Sequence, residues 1–164
     1  MSMPSKVVLG WREWVALPTL GVGAIRAKID SGARSSALHV DDQWRFSERG
    51  APWVGFRLTP AHAGEAIECT APVVDERTVV DSGGHGTLRV FIRTTLRVAG
   101  IEREIDINLT RRHGMAFPML LGRTAMVKAF TVDPARSFLH GRTGTPEASP
   151  GYADPHATPP DLTR

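Results

Sequence analysis

Residues 28–40 read KIDSGARSSALHV and place one acidic residue, Asp30, directly before the triplet Ser-Gly-Ala. Upstream of it, Ile25, Ala27 and Ile29 alternate with less apolar residues. This period of two is typical of a half-buried strand, and the strand runs straight into Asp30. Because Asp-Ser-Gly is also a common turn sequence, Asp30 is either a turn former or the working carboxylate of a site.

A second motif, late in the chain, is relevant to whether Asp30 is a turn former or a working carboxylate. Residues 118–123, PMLLGR, form an apolar strand that ends in glycine and carries no polar side chain before its last residue. The triplet Asp-Ser-Gly recurs at residues 81–83, but no apolar-apolar-Gly motif follows it as a partner of its own. Asp81 therefore lacks the partner motif that Asp30 has.

Period-two alternation dominates the remaining sequence, and stretches with a helical period are scarce. Short strands are expected at Leu38–Val40 and at Val54–Leu58. A further hairpin is expected over Asp75–Val90, where three glycines lie near its tip. The sequence therefore predicts an all-β domain.

One hairpin can be tested by its register. If Ala99-Gly100 is a two-residue turn, apolar residues such as Ile92 and Ile107 face each other on one side. The same register places arginines opposite acids on the other side, which favours a solvated, neutralised face. Arg103 is the exception, because it falls on the apolar side.

Composition limits the number of domains and the class of protein. The 164 residues are 41% hydrophobic and 23% charged, which is enough for one core. We expect a folded domain over residues 1–140 and a disordered tail over 141–164, where five of the 12 prolines lie.

No basic block accompanies the net charge of +3, so nucleic-acid binding is not expected. No stretch has a membrane-spanning length, and a soluble cytoplasmic protein is expected.

No metal or cofactor site is indicated by residue spacing. Cys69 is the only cysteine, so an internal disulfide is excluded and a small buried hydrophobe is its expected role. His39, His85 and His113 would bind zinc only if the fold gathered them. No phosphate-binding glycine loop is present either.

The combination of motifs resembles the half-site of retropepsins. Residues 10–40 and 109–126 are similar to a bacterial retropepsin-like family long labelled as ATP-dependent zinc proteases, some of whose members accompany RimK-type glutamate ligases. The likeness covers residues 9 to about 140. It implies a single-lobe closed β-barrel with a flap hairpin and at most one short helix.

The resemblance also implies roles for individual residues. Asp30 would be the catalytic carboxylate, Ser31 would bridge two subunits through its hydroxyl, and Gly32 would let the backbone approach its symmetry mate. Asp81 is rejected as a second catalytic acid in the same chain, because its distance from Asp30 in the sequence is too short for the complete lobe that two-lobed pepsins have. Since one chain then supplies one acid, catalysis would need a homodimer with a two-fold axis. The expected substrate-binding residues, from the loop after Asp30 and from the flap, are Ala33, Arg34, Asp81, Ser82, Gly83, Gly84 and His85.

One position departs from the viral pattern. Arg34 stands where viral retropepsins carry an aspartate, so Arg123 lacks the ion pair that it makes there. We expect another acid, Glu13 or Asp133, to balance these arginines.

Two functions from different classes follow. The first is a homodimeric cytoplasmic aspartic endopeptidase that cleaves a peptide segment of a protein substrate without a cofactor. The second is a catalytically weak retropepsin-fold module that regulates a RimK-type ATP-grasp ligase or binds its polyglutamylated product, for which an arginine-rich surface is suited. A zinc hydrolase is suggested only by the family label.

Overall fold

The structure is a computed structural model and describes residues 5–61, 64–111 and 116–142. The tail expected over residues 141–164 lies outside the described residues from residue 143 onward, so its disorder stays a prediction. Within the described ranges the chain forms twelve strands, one 3-10 turn and one short α-helix. Neither of these two helical segments is long and apolar enough to cross a membrane.

In chain order the elements are β1 Val7–Gly10, β2 Arg12–Leu17, a 3-10 turn Pro18–Leu20, β3 Val22–Asp30, β4 Ser36–His39, β5 Asp42–Glu48, β6 Ala51–Leu58, β7 Ile67–Pro72, β8 Asp75–Val80, β9 Gly86–Val98, β10 Ile101–Thr110, β11 Met119–Gly122, α1 Arg123–Met126 and β12 Phe130–Asp133.

Six of these strands close into a barrel. They lie in the order β10-β4-β11-β3-β2-β9, and β9 pairs in turn with β10. The strand β8 extends the sheet beyond the ring by pairing with the first part of β9. This confirms the predicted all-β, single-lobe retropepsin-like barrel with one short helix.

The barrel interior is apolar because alternate residues of each strand face inward. In β3 the predicted inward residues Ile25, Ala27 and Ile29 are 0%, 0% and 6% exposed. Leu38 of β4 and Leu121 of β11 are fully buried in the same cluster. Burial of a side chain such as Leu or Ile contributes roughly 1.5–3 kcal/mol, so this alternation holds β3 in place.

A three-stranded antiparallel sheet, β5-β6-β7, packs onto the barrel. Val54, Phe56 and Leu58 of β6 point into the shared core, as the sequence predicts for a strand there. The strand β5, which pairs with β6, was not predicted from the sequence. It is exposed along most of its length and has only Trp44 and Phe46 as apolar residues.

The β9–β10 hairpin has the predicted register. Ile107 lies opposite Ile92 and Asp106 opposite Arg93, and the Arg93–Asp106 ion pair measures 3.0 Å. The exception at Arg103 is explained by the helix, because its guanidinium donates hydrogen bonds to the carbonyls of Ala125 and Val127 at the end of α1.

The turn of this hairpin supports a prediction on stability. Ala99 has φ 54° and Gly100 has φ 75°, so both adopt the left-handed conformation of a type I′ turn. Since a Cβ makes that conformation costly and asparagine tolerates it, Ala99→Asn should raise the free energy of unfolding by about 1 kcal/mol. Urea denaturation measures this, and Ala99→Val is expected to lower stability. An Ala99→Asn protein no more stable than the parent would contradict this turn geometry.

A second prediction concerns the end of β11. A Cβ at Gly122 would lie 2.5 Å from the carbonyl carbon of Ser35 and 2.6 Å from its oxygen, both backbone atoms. Gly122→Ala should therefore destabilise the protein by about 1–3 kcal/mol or more, because the clash is with backbone that cannot move aside like a side chain. A matched control is Gly23→Ala in β3, where nothing lies within 4 Å of the added carbon. Thermal unfolding of both variants tests the close approach, which is disproved if the two behave alike.

Candidate active site

Asp30 lies at the point where β3 leaves the barrel. β11 runs parallel to β3, with Leu121 opposite Ile29 and Gly122 opposite Asp30. The two motifs singled out in the sequence are therefore direct neighbours in the sheet. The apolar strand supports the strand that carries the acid, and its terminal glycine leaves room for the loop that follows.

The carboxylate of Asp30 is held by the loop that it begins. Its Oδ1 accepts hydrogen bonds from the backbone N–H of Gly32 at 3.0 Å and of Ala33 at 3.2 Å. The side chain is half-buried, while Ser31 and Gly32 are exposed. Oδ2 has no hydrogen-bond partner among the residues that the structure describes. Asp30 is thus both a turn former and an oriented acid with one oxygen left for another group.

The loop over residues 30–35 is fastened to the segment around Gly122. The Ser36 hydroxyl accepts a hydrogen bond from the Gly122 N–H at 3.0 Å. The hydroxyl of Thr124 and its N–H both donate to the carbonyl of Arg34, at 2.8 and 3.2 Å. These bonds fix the backbone of the loop that follows the acid.

The prediction that Glu13 or Asp133 balances Arg34 and Arg123 is wrong. Arg123 donates instead to the backbone carbonyl of Gly32 at 3.2 Å, so a carbonyl takes the place of a carboxylate. Glu13 is fully buried and accepts hydrogen bonds from the N–H groups of Gly10 and Leu139. Asp133 accepts one from Ala135. Both acids therefore bind backbone N–H groups and do not pair with the two arginines.

A cleft of about 1010 Å³ separates the Asp30 loop from the hairpin made by β8, residues 81–85 and the first part of β9. We call this the cleft hairpin. The predicted site residues that line the cleft are Asp30, Gly32, Ala33, Arg34, Asp81 and Ser82. The predicted residues that do not line it in the single chain are Ser31, Gly83, Gly84 and His85.

Asp81 shapes the tip of the cleft hairpin. Its Oδ1 accepts hydrogen bonds from the N–H groups of Gly83 and His85, both at 2.9 Å. Its backbone N–H donates to the carbonyl of His85 at 3.0 Å. These bonds make Asp81 a turn residue of the cleft hairpin, and its expected contact with substrate stays a prediction.

The sequence reasoning missed most of the cationic lining of the cleft. The cationic residues that were not predicted are Lys28, Arg77 and Arg89, and Arg123 was considered only for its ion pair. The neutral Asn108 in the lining was also not predicted. Lys28 precedes Asp30 by two residues on the same face of β3, so the alternation itself was a usable signal. The two arginines of the cleft hairpin required its register, which places Arg77 opposite Arg89.

The cleft is electropositive. The five cationic residues of its lining outnumber the two acidic ones. The cations are Lys28, Arg34, Arg77, Arg89 and Arg123, and the acids are Asp30 and Asp81. A cleft with this excess of one sign concentrates ligands of the opposite charge.

Two of the three histidines considered as zinc ligands each lie beside one acid. His39 lies 3.7 Å from Asp41 and His85 lies 3.6 Å from Asp81, while His113 lies outside the described residues. Within the described ranges no three His, Cys, Asp or Glu side chains are grouped so as to hold a metal ion.

Cys69 is 7% exposed, as expected for a small buried hydrophobe, and its Sγ lies 3.4 Å from the carbonyl oxygen of Leu20. Burial raises the pKa of the Cys69 thiol, which keeps it protonated at neutral pH.

Relatives of the chain are longer proteins. It is 39% identical over 150 residues to a "Probable alpha-L-glutamate ligase" of Shewanella pealeana, covering 90% of this chain and 33% of that protein. It is 37% identical over 133 residues to a protein of the same name from Desulfotalea psychrophila, covering 80% of this chain and 29% of that protein. The chain thus spans about a third of the length of the curated relatives that it matches.

A solved structure shares the fold over the whole of its own length. A protein of unknown function from Legionella pneumophila superposes with a TM-score of 0.71 at 26% identity, covering 83% of this chain and 99% of that one. A family model described as retropepsin-like aspartic endopeptidase RimB matches residues 8–143. The chain therefore belongs to the RimB-like family of retropepsin-like proteins.

Proposed function

We propose that this chain is one half of a homodimeric aspartic endopeptidase. The observation that carries the proposal is the oriented carboxylate of Asp30, which stands at the mouth of a cleft large enough for a peptide segment. The motif pair around Asp30 and Gly122 occurs once in the chain, so one subunit offers one such acid. The description of the matched family as aspartic endopeptidases supports this reading.

Two copies of Asp30 facing each other across a two-fold axis would share one proton, because two carboxylates so close cannot both ionise. The ionised carboxylate takes a proton from a water molecule, whose oxygen attacks the peptide carbonyl carbon. The protonated carboxyl gives its proton to the carbonyl oxygen. The tetrahedral intermediate, which now carries two hydroxyl groups, then collapses. One hydroxyl returns its proton to the carboxylate that gave a proton to the carbonyl oxygen, the C–N bond breaks, and the proton taken from water passes from the other carboxyl to the departing nitrogen, so the pair again holds one proton.

The exposed residues after Asp30 suit a contact between subunits. Ser31 presents a hydroxyl that has no partner among the described residues, and Gly32 has no side chain to hinder the approach of a second backbone. The cleft hairpin would close over an extended peptide by adding strand-like hydrogen bonds and excluding water.

A second candidate function is favoured by the relatives. Proteins named as glutamate ligases contain a region similar to this chain, so a retropepsin-fold module and a ligase occur within one polypeptide. In that case the chain would bind and regulate a RimK-type ligase, or bind its polyglutamylated product, with little catalysis of its own. The cationic cleft supports binding of such an acidic product.

The test compares the parent protein with Asp30→Asn and with Asp106→Asn. Asp106 lies on the outer face of the β9–β10 hairpin and pairs with Arg93, so it serves as a matched acidic control. We expect the parent and Asp106→Asn to cleave a diverse peptide mixture, as read by mass spectrometry. Asp30→Asn should lose at least about a thousandfold in rate, in the range typical when a catalytic group is removed.

Sedimentation of the same samples gives the oligomeric state. The proposal requires a dimer for the parent and for Asp30→Asn alike. Cleavage by Asp30→Asn, or full activity of a monomer, would remove the mechanism. An inert parent that binds glutamate-rich peptides would favour the second candidate.

A further inference from the structure

The three-stranded sheet β5-β6-β7 carries aromatic side chains on the face that points away from the core. Its register places Trp44 opposite Gly55 and Phe46 opposite Trp53, and Trp53 in turn lies opposite Pro72. We call Trp44, Phe46, Trp53 and Pro72 the aromatic face. Trp44 is 37% exposed, and Phe46 and Trp53 are half-buried. The solvated face of an antiparallel sheet is usually polar, so two tryptophans there call for an explanation.

Part of the explanation is packing within the sheet. A Cβ at Gly55 would overlap the indole of Trp44, so this ring lies over the backbone of β6. The ring centres of Phe46 and Trp53 are 6.1 Å apart, with the rings tilted by 37°. Cross-strand aromatic contacts of this kind stabilise a sheet. They cover one side of the Trp44 ring and leave the exposed part toward solvent.

The other two of the four tryptophans are covered differently. The guanidinium of Arg12 lies 4.5 Å from the ring centre of Trp11, and that of Arg142 lies 4.5 Å from the ring centre of Trp14. Trp14 is only 4% exposed. Among the described residues no guanidinium stacks on a tryptophan of the aromatic face. Those two rings therefore remain open to a ligand.

The aromatic face also offers hydrogen-bond donors. The indole N–H groups of Trp44 and Trp53 have no acceptor in the part of the chain that the structure describes. An indole nitrogen can only donate, so a ligand of this face has to supply acceptors such as peptide carbonyls.

Net charge does not select the ligand of the aromatic face. The charged side chains in the row beside Trp44 are paired, with Arg57 3.7 Å from Glu68 and Arg111 4.0 Å from Asp42. Surface pairs of this kind leave little net field. A ligand that fits is therefore apolar and rich in free carbonyl groups.

A proline-rich segment has both properties. In the polyproline II conformation its carbonyls make no internal hydrogen bonds, and its rings dock on aromatic side chains. This chain contains such a segment over residues 143–164, with prolines at Pro146, Pro150, Pro155, Pro159 and Pro160. The family match ends at residue 143, so the segment lies beyond the shared region.

The segment is long enough to reach the aromatic face. At about 3.1 Å per residue, Pro155 lies up to about 40 Å of chain from Arg142, and Pro160 up to about 56 Å. A domain of about 140 residues has a radius of gyration of about 14 Å and is therefore about 37 Å across. The last three prolines can thus span the domain.

Attachment to the same chain also makes weak binding sufficient. A tethered segment has an effective concentration in the millimolar range. An affinity of about 0.1 mM then fills the face in about nine of ten molecules.

We propose that the aromatic face is a binding site for a proline-rich segment, and that residues 143–164 of the same chain occupy it. The rings of Trp44 and Trp53 pack against prolines of the segment, and their indole N–H groups donate to its carbonyls. The site needs neither Asp30 nor peptidase activity, so this inference goes beyond the proposed function and does not depend on it.

The experiment locates the segment by paramagnetic relaxation in the full-length protein. A nitroxide is attached at Ala157→Cys, next to the last prolines, in a Cys69→Ala background that leaves one thiol. The four indole N–H signals are assigned by single Trp→Phe substitutions. We expect the signals of Trp44 and Trp53 to be broadened more than those of Trp11 and Trp14.

Matched variants test the chemistry of the contact. Trp44→Ala should weaken binding roughly thirtyfold, as for a central tryptophan of an interface, and lower the occupied fraction to about a quarter. The broadening of the Trp53 signal should fall in proportion. Trp11→Ala, on a different surface, should leave it unchanged. Replacing Pro155, Pro159 and Pro160 together by alanine should act as Trp44→Ala does, without any change in the described domain.

Three results would overturn the proposal. The first is equal broadening of all four indole signals, or stronger broadening at Trp11 and Trp14. The second is broadening at Trp53 that persists in both Trp44→Ala and the proline variant. The third comes from mixing labelled protein with ¹⁵N-enriched unlabelled protein: full broadening in that mixture would mean that a second copy supplies the segment. None of these results depends on whether the protein cleaves peptides.

Discussion

The pairing of β3 with β11 is the interaction on which the site depends. It joins two segments that are far apart in the chain and brings Asp30 next to Gly122. The apolar residues before both positions face the barrel core, so the burial of the core also sets the place of the acid. Gly122 permits an approach of backbone to backbone that any side chain would block. The fixed position of Asp30 at the rim of the barrel is therefore a consequence of core packing.

In the loop after Asp30, backbone carbonyls take the place that a carboxylate has in viral retropepsins. In viral retropepsins an aspartate balances the arginine that follows the glycine, and here Arg34 occupies that position. Arg123 compensates by binding the carbonyl of Gly32, and Thr124 binds the carbonyl of Arg34. The loop keeps its anchorage, and compared with an aspartate at this position the net charge of the cleft is more positive by two. The arginine at position 34 therefore keeps the loop fastened and changes the electrostatics of the cleft.

The accuracy of the sequence-based predictions follows the range of the interactions. The register of the β9–β10 hairpin was predictable because turn and charge pairs lie close in sequence. The roles of Glu13 and Asp133 were predicted wrongly, because their partners are backbone N–H groups, which no side-chain pattern reveals. Asn108 was missed for a similar reason, since it continues the polar alternation of Glu104 and Asp106 along β10 and gives no sign of its own partners.

The sequence by itself determined the strand alternation, the position of Asp30 at a strand end and the all-β class, because these depend on the local period of apolar residues. It also identified the segment that supports the acid through a resemblance to known motifs. Only the tertiary structure decided which charges share the cleft, since long-range packing places the hairpin that carries Arg77 and Arg89 opposite the strand that carries Lys28. Charge excess in a cleft is a property of the folded arrangement, whereas the chain as a whole is nearly balanced.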